Sequence, residues 1–355
     1  MGRLTAGQRL TLGIAVLASV LAGTLSTLGI SAVLVFVVSA LALAFLAALV
    51  GQATEQLGER LGPGATGVLQ SALGNLPELF VGIFALRAGL VQVVQAALVG
   101  SILGNSLLVL GLAFLAGGLR HGTQRFASET PRMIATLTLL AVAALAVPTL
   151  AQNLHTPAST HGGALSAACA LVLLLVFIAS IPVSLRGAPH GVSGEPDEVA
   201  EHAWPVWLAA AILAIAGVGA ALVADWFVEA LRPAIEALHL SQAFTGLVVV
   251  AIAGNAVENV VGIQLAARNK PDYAVSVILN SSLQVALGLT PTLVLLSVAL
   301  AATPLTLVLP PLLVVALALT AALGAMVTYD GESTWLEGLA LIGLYSILAA
   351  AFWWG

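Results

Sequence analysis

A chain of 355 residues that is 60% hydrophobic and only 8% charged, with a mean hydropathy of +1.09, cannot cover a water-facing surface. Soluble domains carry about a quarter charged residues, so a soluble fold is excluded and most of the surface faces lipid. The net charge of −5 rests on few groups, and the single cysteine, Cys169, allows no disulfide within one chain.

A membrane-spanning helix needs about 20 mostly apolar residues. Runs of that kind cover 10–28, 30–50, 64–86, 91–117, 131–150, 163–185, 204–225, 243–267, 273–300, 305–327 and 334–354, which makes eleven. The first follows Arg3 and Arg9 like a secretory signal, but no cleavage site follows and a second apolar run begins just past Gly29. It reads as the first transmembrane helix. The connections are short and leave no room for a soluble catalytic domain. The longest polar stretch, Arg186 to His202, is rich in Gly, Pro and acidic residues and divides the chain near its middle.

Basic residues set the orientation. With the N-terminus in the cytoplasm, the inner segments hold Arg3, Arg9, Arg60, Arg120, Arg125, Arg132, Arg186, Arg268 and Lys270, and the outer ones hold Arg87 and Arg232. This bias favours a cytoplasmic N-terminus, and the lack of extra domains with the very low lysine content points to a multi-pass protein of the cell membrane. The six tryptophans, Trp204, Trp207, Trp226, Trp335, Trp353 and Trp354, fall at expected helix ends, at headgroup level.

The third run contains Gly74-Asn75-Leu76-Pro77-Glu78 and the eighth Gly254-Asn255-Ala256-Val257-Glu258. Each Gly-Asn-x-x-Glu is followed by an apolar stretch ending at Arg87 or Arg268, then by a helix spotted with polar residues. Those residues are Ser101 and Asn105 in the first case, and Asn280, Ser281, Ser282 and Gln284 in the second; Ser101 and Ser281 share the offset of the motifs. The two motif helices are an odd number of spans apart, so they cross the membrane in opposite senses. The expected fold is an all-α integral membrane protein of about 11 transmembrane helices. It comprises a leading helix over 1–29, a five-helix repeat over 30–186, an acidic cytoplasmic linker over 187–203 and an inverted five-helix repeat over 204–355. Transporters built this way place the substrate site near the midplane between repeats.

Glu78 and Glu258 are the two acidic residues deep within long apolar runs, where a charge costs on the order of 3 kcal/mol or more. Asn75 and Asn255 share a helical face with them. Ser101, Asn105, Asn280, Ser281 and Gln284 complete a candidate set that offers only oxygen, which suits a hard cation, calcium above all. Pro77, inside a helix, would free the Leu73 carbonyl, and Gly74 loosens the same turn, so the Leu73 and Gly74 carbonyls are further candidate ligands. Low dielectric favours a protonated carboxyl and a divalent cation favours an ionised one, so such a pair can hold either calcium or protons. The expected function is cation/proton antiport by alternating access.

These residues match a known family. The segments 74–118 and 254–290 resemble the repeats of the cation/calcium exchanger superfamily, and Gly-Asn-x-x-Glu with Gly100-Ser101-Ile102-Leu103-Gly104-Asn105 resembles its calcium/proton exchanger branch. The resemblance implies calcium held between Glu78 and Glu258 and a cytoplasmic acidic motif at Glu195, Asp197, Glu198 and Glu201. Leu76-Pro77, Asn259 and Asn280 depart from that branch's usual residues. Sodium/calcium or sodium/proton exchange stands as the alternative, with a passive channel and a membrane-embedded metalloenzyme further off. The expected partners are calcium, protons and the bilayer, with no nucleic acid; no cofactor and no enzymatic activity are expected, calcium being the transported substrate. The six histidines and Asp225, Glu229 and Glu236 read as solvated or interfacial, and Glu337 as a helix-start carboxylate.

Overall fold

The computed structural model describes residues 4–61, 73–187 and 204–354; the side chains at 59–61 and 182–187 and those of Val257 and Glu258 lie outside this description. The linker acids Glu195, Asp197, Glu198 and Glu201 also fall outside it. The helices are α1 (Ala6–Thr27), α2 (Ala32–Leu61), α3 (Leu76–Arg87), α4 (Val91–His121), α5 (Glu129–Asn153) and α6 (Gly162–Gly187). They continue as α7 (Val206–Leu238), α8 (Gln242–Gly254), α9 (Ala256–Ala267), α10 (Pro271–Leu300), α11 (Pro311–Val327) and α12 (Trp335–Trp353). Strands β1 (Gln124–Arg125) and β2 (Glu332–Ser333) form a short antiparallel pair. Among the described residues, eight helices are long and apolar enough to cross a membrane, and a ninth span results if α8 and α9 count as one. The all-α membrane fold expected from composition is what the chain adopts.

Several boundaries differ from the sequence reading, each for a local reason. Helix α1 starts four residues earlier because Thr5 and Gln8 form a reciprocal cap: Thr5 Oγ1 accepts from the Gln8 N–H at 3.2 Å and Gln8 Oε1 from the Thr5 N–H at 2.9 Å. Helix α7 runs on to Leu238, past Asp225, Glu229, Arg232 and Glu236, because all four lie on its exposed side while Ala224, Phe227, Val228, Leu231 and Ala234 are buried. Its 33 residues are about 50 Å long, more than a hydrocarbon core of about 30 Å requires. Trp226 therefore lies inside a helix, its ring packed over Gly23 of α1, and not at a helix end.

The run 305–327 is only partly helical. Pro304, Pro310 and Pro311 delay the helix, and residues 301–310 are irregular, with bends at 302, 303 and 307. Leu305, Leu307 and Leu309 are buried in alternation with half-buried Thr306 and Val308. Side chains of four helices satisfy this backbone. Gln95 Nε2 donates to the Thr306 and Val308 carbonyls at 2.9 and 3.1 Å, and Thr149 Oγ1 donates to the Leu307 carbonyl and accepts from the Leu309 N–H. Ser166 and Ser297 accept from the N–H groups of Leu307 and Leu305. Non-helical backbone at such depth persists where protein supplies every partner.

The helices gather into two compact units, one of residues 1–84 and 177–238, the other of 85–176 and 239–355. In the first, α1, α2 and α7 pack together: the Phe36 and Phe227 rings stack at 4.9 Å, Leu46 covers Gly219, and Gln56 Oε1 accepts from the Trp204 N–H at 2.8 Å. In the second, α4 is the central element. Gly100 of α4 lies against the Leu247 backbone of α8, Gly246 lies against the Val93 carbonyl, and Gly111 meets Gly338 of α12. Glycines at these crossings let the backbones approach as lipid-embedded helices do.

Candidate functional site

Both Gly-Asn-x-x-Glu motifs hold a turn from which a new helix starts. In the first, Leu73 ends a helical turn, Gly74 and Asn75 form a turn, and α3 starts at Leu76. In the second, α8 ends at Gly254, Asn255 forms the turn, and α9 starts at Ala256; the axes of Gln242–Gly254 and Asn259–Ala267 differ by 64°. The first backbone bonds of the new helices are alike, Leu79 N–H to the Asn75 carbonyl at 2.9 Å and Asn259 N–H to the Asn255 carbonyl at 3.0 Å. Pro77 is thus the second residue of α3, where its missing N–H would be unpaired in any case, and not a mid-helix kink. Val257 occupies the matching place and the helix breaks there too, so Gly-Asn and not proline makes the break. This corrects the expected part of Pro77: the Leu73 and Gly74 carbonyls stand at the turn before α3, not opposite a mid-helix proline.

The break also relocates the glutamates. Glu78 and Glu258 are each the third residue of a half-helix, within the first turn, where orphan N–H groups and the helix dipole favour negative charge. Glu78 is half-buried and Asn75 is buried. The Glu258 side chain lies outside the described residues, and its place is given by the backbone of α9 alone.

In the second unit four of the expected residues meet in one hydrogen-bonded chain. Asn105 Nδ2 donates to Ser281 Oγ at 2.8 Å, Ser281 Oγ donates to Asn255 Oδ1 at 3.5 Å, and Asn255 Nδ2 donates to Ser101 Oγ at 2.9 Å. Asn255 Nδ2 also donates to the Ala251 carbonyl of α8 at 3.0 Å, which ties the turn to the helix before it. All four are at most 6% exposed. The chain joins α4, the α8–α9 break and α10, so the polar residues on either side of the repeat offset are physically one cluster. Because each asparagine spends its NH2 within the cluster, the Asn105 amide oxygen and the Ser101 hydroxyl stand at its two ends. Gln284 is buried one turn beyond Ser281, and Asn280 is half-buried beside Ser281 and takes no part in this chain.

Sequence reasoning passed over two features. Ser106 and Ser282, 4% and 1% exposed, share a hydrogen bond of 2.9 Å next to the Asn105–Ser281 bond. Neither motif nor repeat pointed to Ser106, because its repeat counterpart, Ala286, is apolar. At the other end of α9, Gln124 Nε2 donates to the Ala266 carbonyl and to Asn269 Oδ1, each at 3.0 Å, and His121 Nε2 lies 3.1 Å from the Ala267 carbonyl. His121 is exposed but engaged at a helix end. Among the described residues no group of three His, Cys, Asp or Glu side chains is placed to hold a metal ion.

The sequence profile described as sodium/calcium exchanger protein matches residues 31–185 and 208–354. The chain is 36% identical over 336 residues to a Ca(2+)/H(+) antiporter of Synechocystis, covering 90% of each chain. It is 34% identical over 329 residues to the Ca(2+)/H(+) antiporter ChaA of Bacillus subtilis, covering 91% of this chain and 92% of that one. Among solved structures, native YfkE superposes with a TM-score of 0.82 at 29% identity, covering 97% of this chain and all of the other.

Proposed function

The chain belongs to the sodium/calcium exchanger protein family, and we propose from that membership and from the oxygen-only cluster that it exchanges calcium for protons across the cell membrane. The observation that carries the reading is the pair of broken helices that put a glutamate, behind an asparagine, at the start of each half-helix. Calcium takes six to eight oxygen ligands in flexible geometry. Glu78 and Glu258 supply carboxylate oxygens. The Leu73 and Gly74 carbonyls, Asn75, Asn255, Ser101, Asn105, Asn280, Ser281 and Gln284 are the neutral oxygens available to complete the shell or to orient it.

The coupling follows from charge. Two carboxylates at half-helix N-termini hold a divalent cation when ionised and lose it when protonated, because a neutral carboxyl no longer balances the ion's charge. A site that must carry either calcium or protons, never neither, moves one against the other when it alternates between the two sides. Where the proton gradient is directed into the cell, protons entering drive calcium out.

The test is calcium uptake into everted membrane vesicles under an imposed proton gradient. Wild-type protein accumulates calcium, and collapsing the gradient abolishes the uptake. Glu78→Gln and Glu258→Gln each reduce it to background, since an amide keeps the shape and removes the charge. Uptake driven by a sodium gradient and indifferent to a proton gradient would replace this reading with sodium/calcium exchange.

A further inference from the structure

The two polar helices of the second unit share an irregularity. Residues Gly104–Val109 of α4 and Val285–Leu289 of α10 form π-helical turns, at almost the same offset as the motifs. A π-turn holds one residue more than an α-turn, and such turns gather at functional sites. It shifts along a helix by exchanging an i→i−5 bond at one end for an i→i−4 bond at the other, so backbone bonding alone fixes its position weakly. A shift of one residue rotates the side chains it passes by about 100°. Asn105 lies within the turn of α4, so such a shift would turn its amide away from Ser281.

Ser106 is the next residue in that turn, and Ser282 follows Ser281 at the end of the α-helical part of α10. Their hydrogen bond of 2.9 Å runs beside the Asn105–Ser281 bond of 2.8 Å. The neighbours along the chain are apolar and buried: Leu103 and Leu107 fully, Leu283 at 3% exposure and Val285 completely. Alanine at both positions would suit such a contact, because replacing both partners of a buried hydrogen bond by apolar groups is nearly neutral. Packing therefore does not call for the hydroxyls, whereas fixing a register does: the two bonds together match only one setting of α4 against α10.

We propose that Ser106 and Ser282 are a positioning pair that pins the π-turns of α4 and α10 and so, through the Asn105–Ser281 bond, holds the Asn105 amide oxygen in place for the transported cation. This rests on the calcium/proton exchange proposed above. Ser106 and Ser282 do not touch the ion; they act through their neighbours.

The experiment compares wild type with Ser106→Ala, Ser282→Ala, the double alanine variant and Ser106→Thr, all purified and reconstituted in proteoliposomes. Thermal unfolding and the KM for calcium are read side by side. Each single alanine strands one buried hydroxyl and lowers Tm, and the double variant recovers most of that loss. The KM for calcium rises about fivefold or more in both single variants and stays raised in the double one, while the maximal rate changes less. Ser106→Thr, which keeps the hydroxyl, retains the wild-type KM. A double variant with wild-type Tm and wild-type KM overturns the proposal and leaves the pair a packing contact; so does a wild-type KM in any folded alanine variant. Failure of the exchange reading is separate, since wild type itself would then show no proton-driven calcium uptake.

Discussion

At the scale of single residues, the closest tolerances lie at glycine. A methyl group built on Gly100 would overlap the carbonyl of Leu247, and one on Gly246 the carbonyl of Val93. These neighbours are backbone atoms in helices and cannot swing aside as a long side chain would. Gly100→Ala is therefore expected to cost about 1–3 kcal/mol, or more if α4 and α8 cannot separate, and thermal unfolding in detergent measures it. Gly104, four residues on and with open space where a Cβ would go, is the control: Gly104→Ala is expected to leave Tm close to wild type. The motif asparagines show a different kind of tolerance. Asn255 donates to Ser101 and to Ala251 and accepts from Ser281, which uses the amide on both sides, so an isosteric leucine or aspartate could satisfy only part of it.

At the scale of elements, the breaks at Gly74-Asn75 and Asn255 decide what the motif is for. Had the helices been continuous, each glutamate would sit mid-helix with no backbone donors left to face it. Broken, each sits in a first turn whose N–H groups lack intrahelical partners. Because the break does not depend on proline, Pro77→Ala is expected to change stability by less than about 1 kcal/mol, and Val257→Pro is expected to fold and transport, because the second position of a helix is one where an N–H has no intrahelical partner to lose. Circular dichroism and vesicle uptake check both; loss of folding in Val257→Pro would mean that α8 and α9 pair across the turn. The irregular segment 301–310 makes the same point in reverse. It holds no helix, yet Gln95, Thr149, Ser166 and Ser297 meet its backbone groups, and that set of polar residues spread over four helices has no signature in the linear sequence.

At the scale of the whole molecule, each compact unit draws on both halves of the sequence: residues 1–84 join 177–238, and 85–176 join 239–355. An inverted repeat and a compact unit are thus different divisions of the same chain, one by descent along the sequence and one by contact. The opposed orientation expected of the two motif helices makes a prediction. With Cys169 replaced by serine, a cysteine introduced at Arg87 is expected to react with an impermeant thiol reagent from outside intact cells, and one at Arg268 only after the membrane is opened. Labelling of both from the same side would overturn the opposed orientation of the motif helices.

The membrane class, most of the apolar runs and the paired motif were legible in the sequence, because burial in lipid leaves a run of about 20 apolar residues and a buried charge stands out against it. Helix ends were less legible. The cap at Thr5 and the amphipathic extension of α7 to Leu238 are written in residue types that a search for apolar runs passes over. Where the polar side chains spend their hydrogen bonds follows from packing alone. Asn105 meets Ser281, Asn255 meets Ser101, and Ser106 meets Ser282 across helices far apart in the chain. Such pairings depend on which helices cross, and at what register, and a one-dimensional pattern carries neither. The helix breaks lie between these cases: the glycine and asparagine were visible, but that they end one helix and begin another is settled by how the chain packs around them.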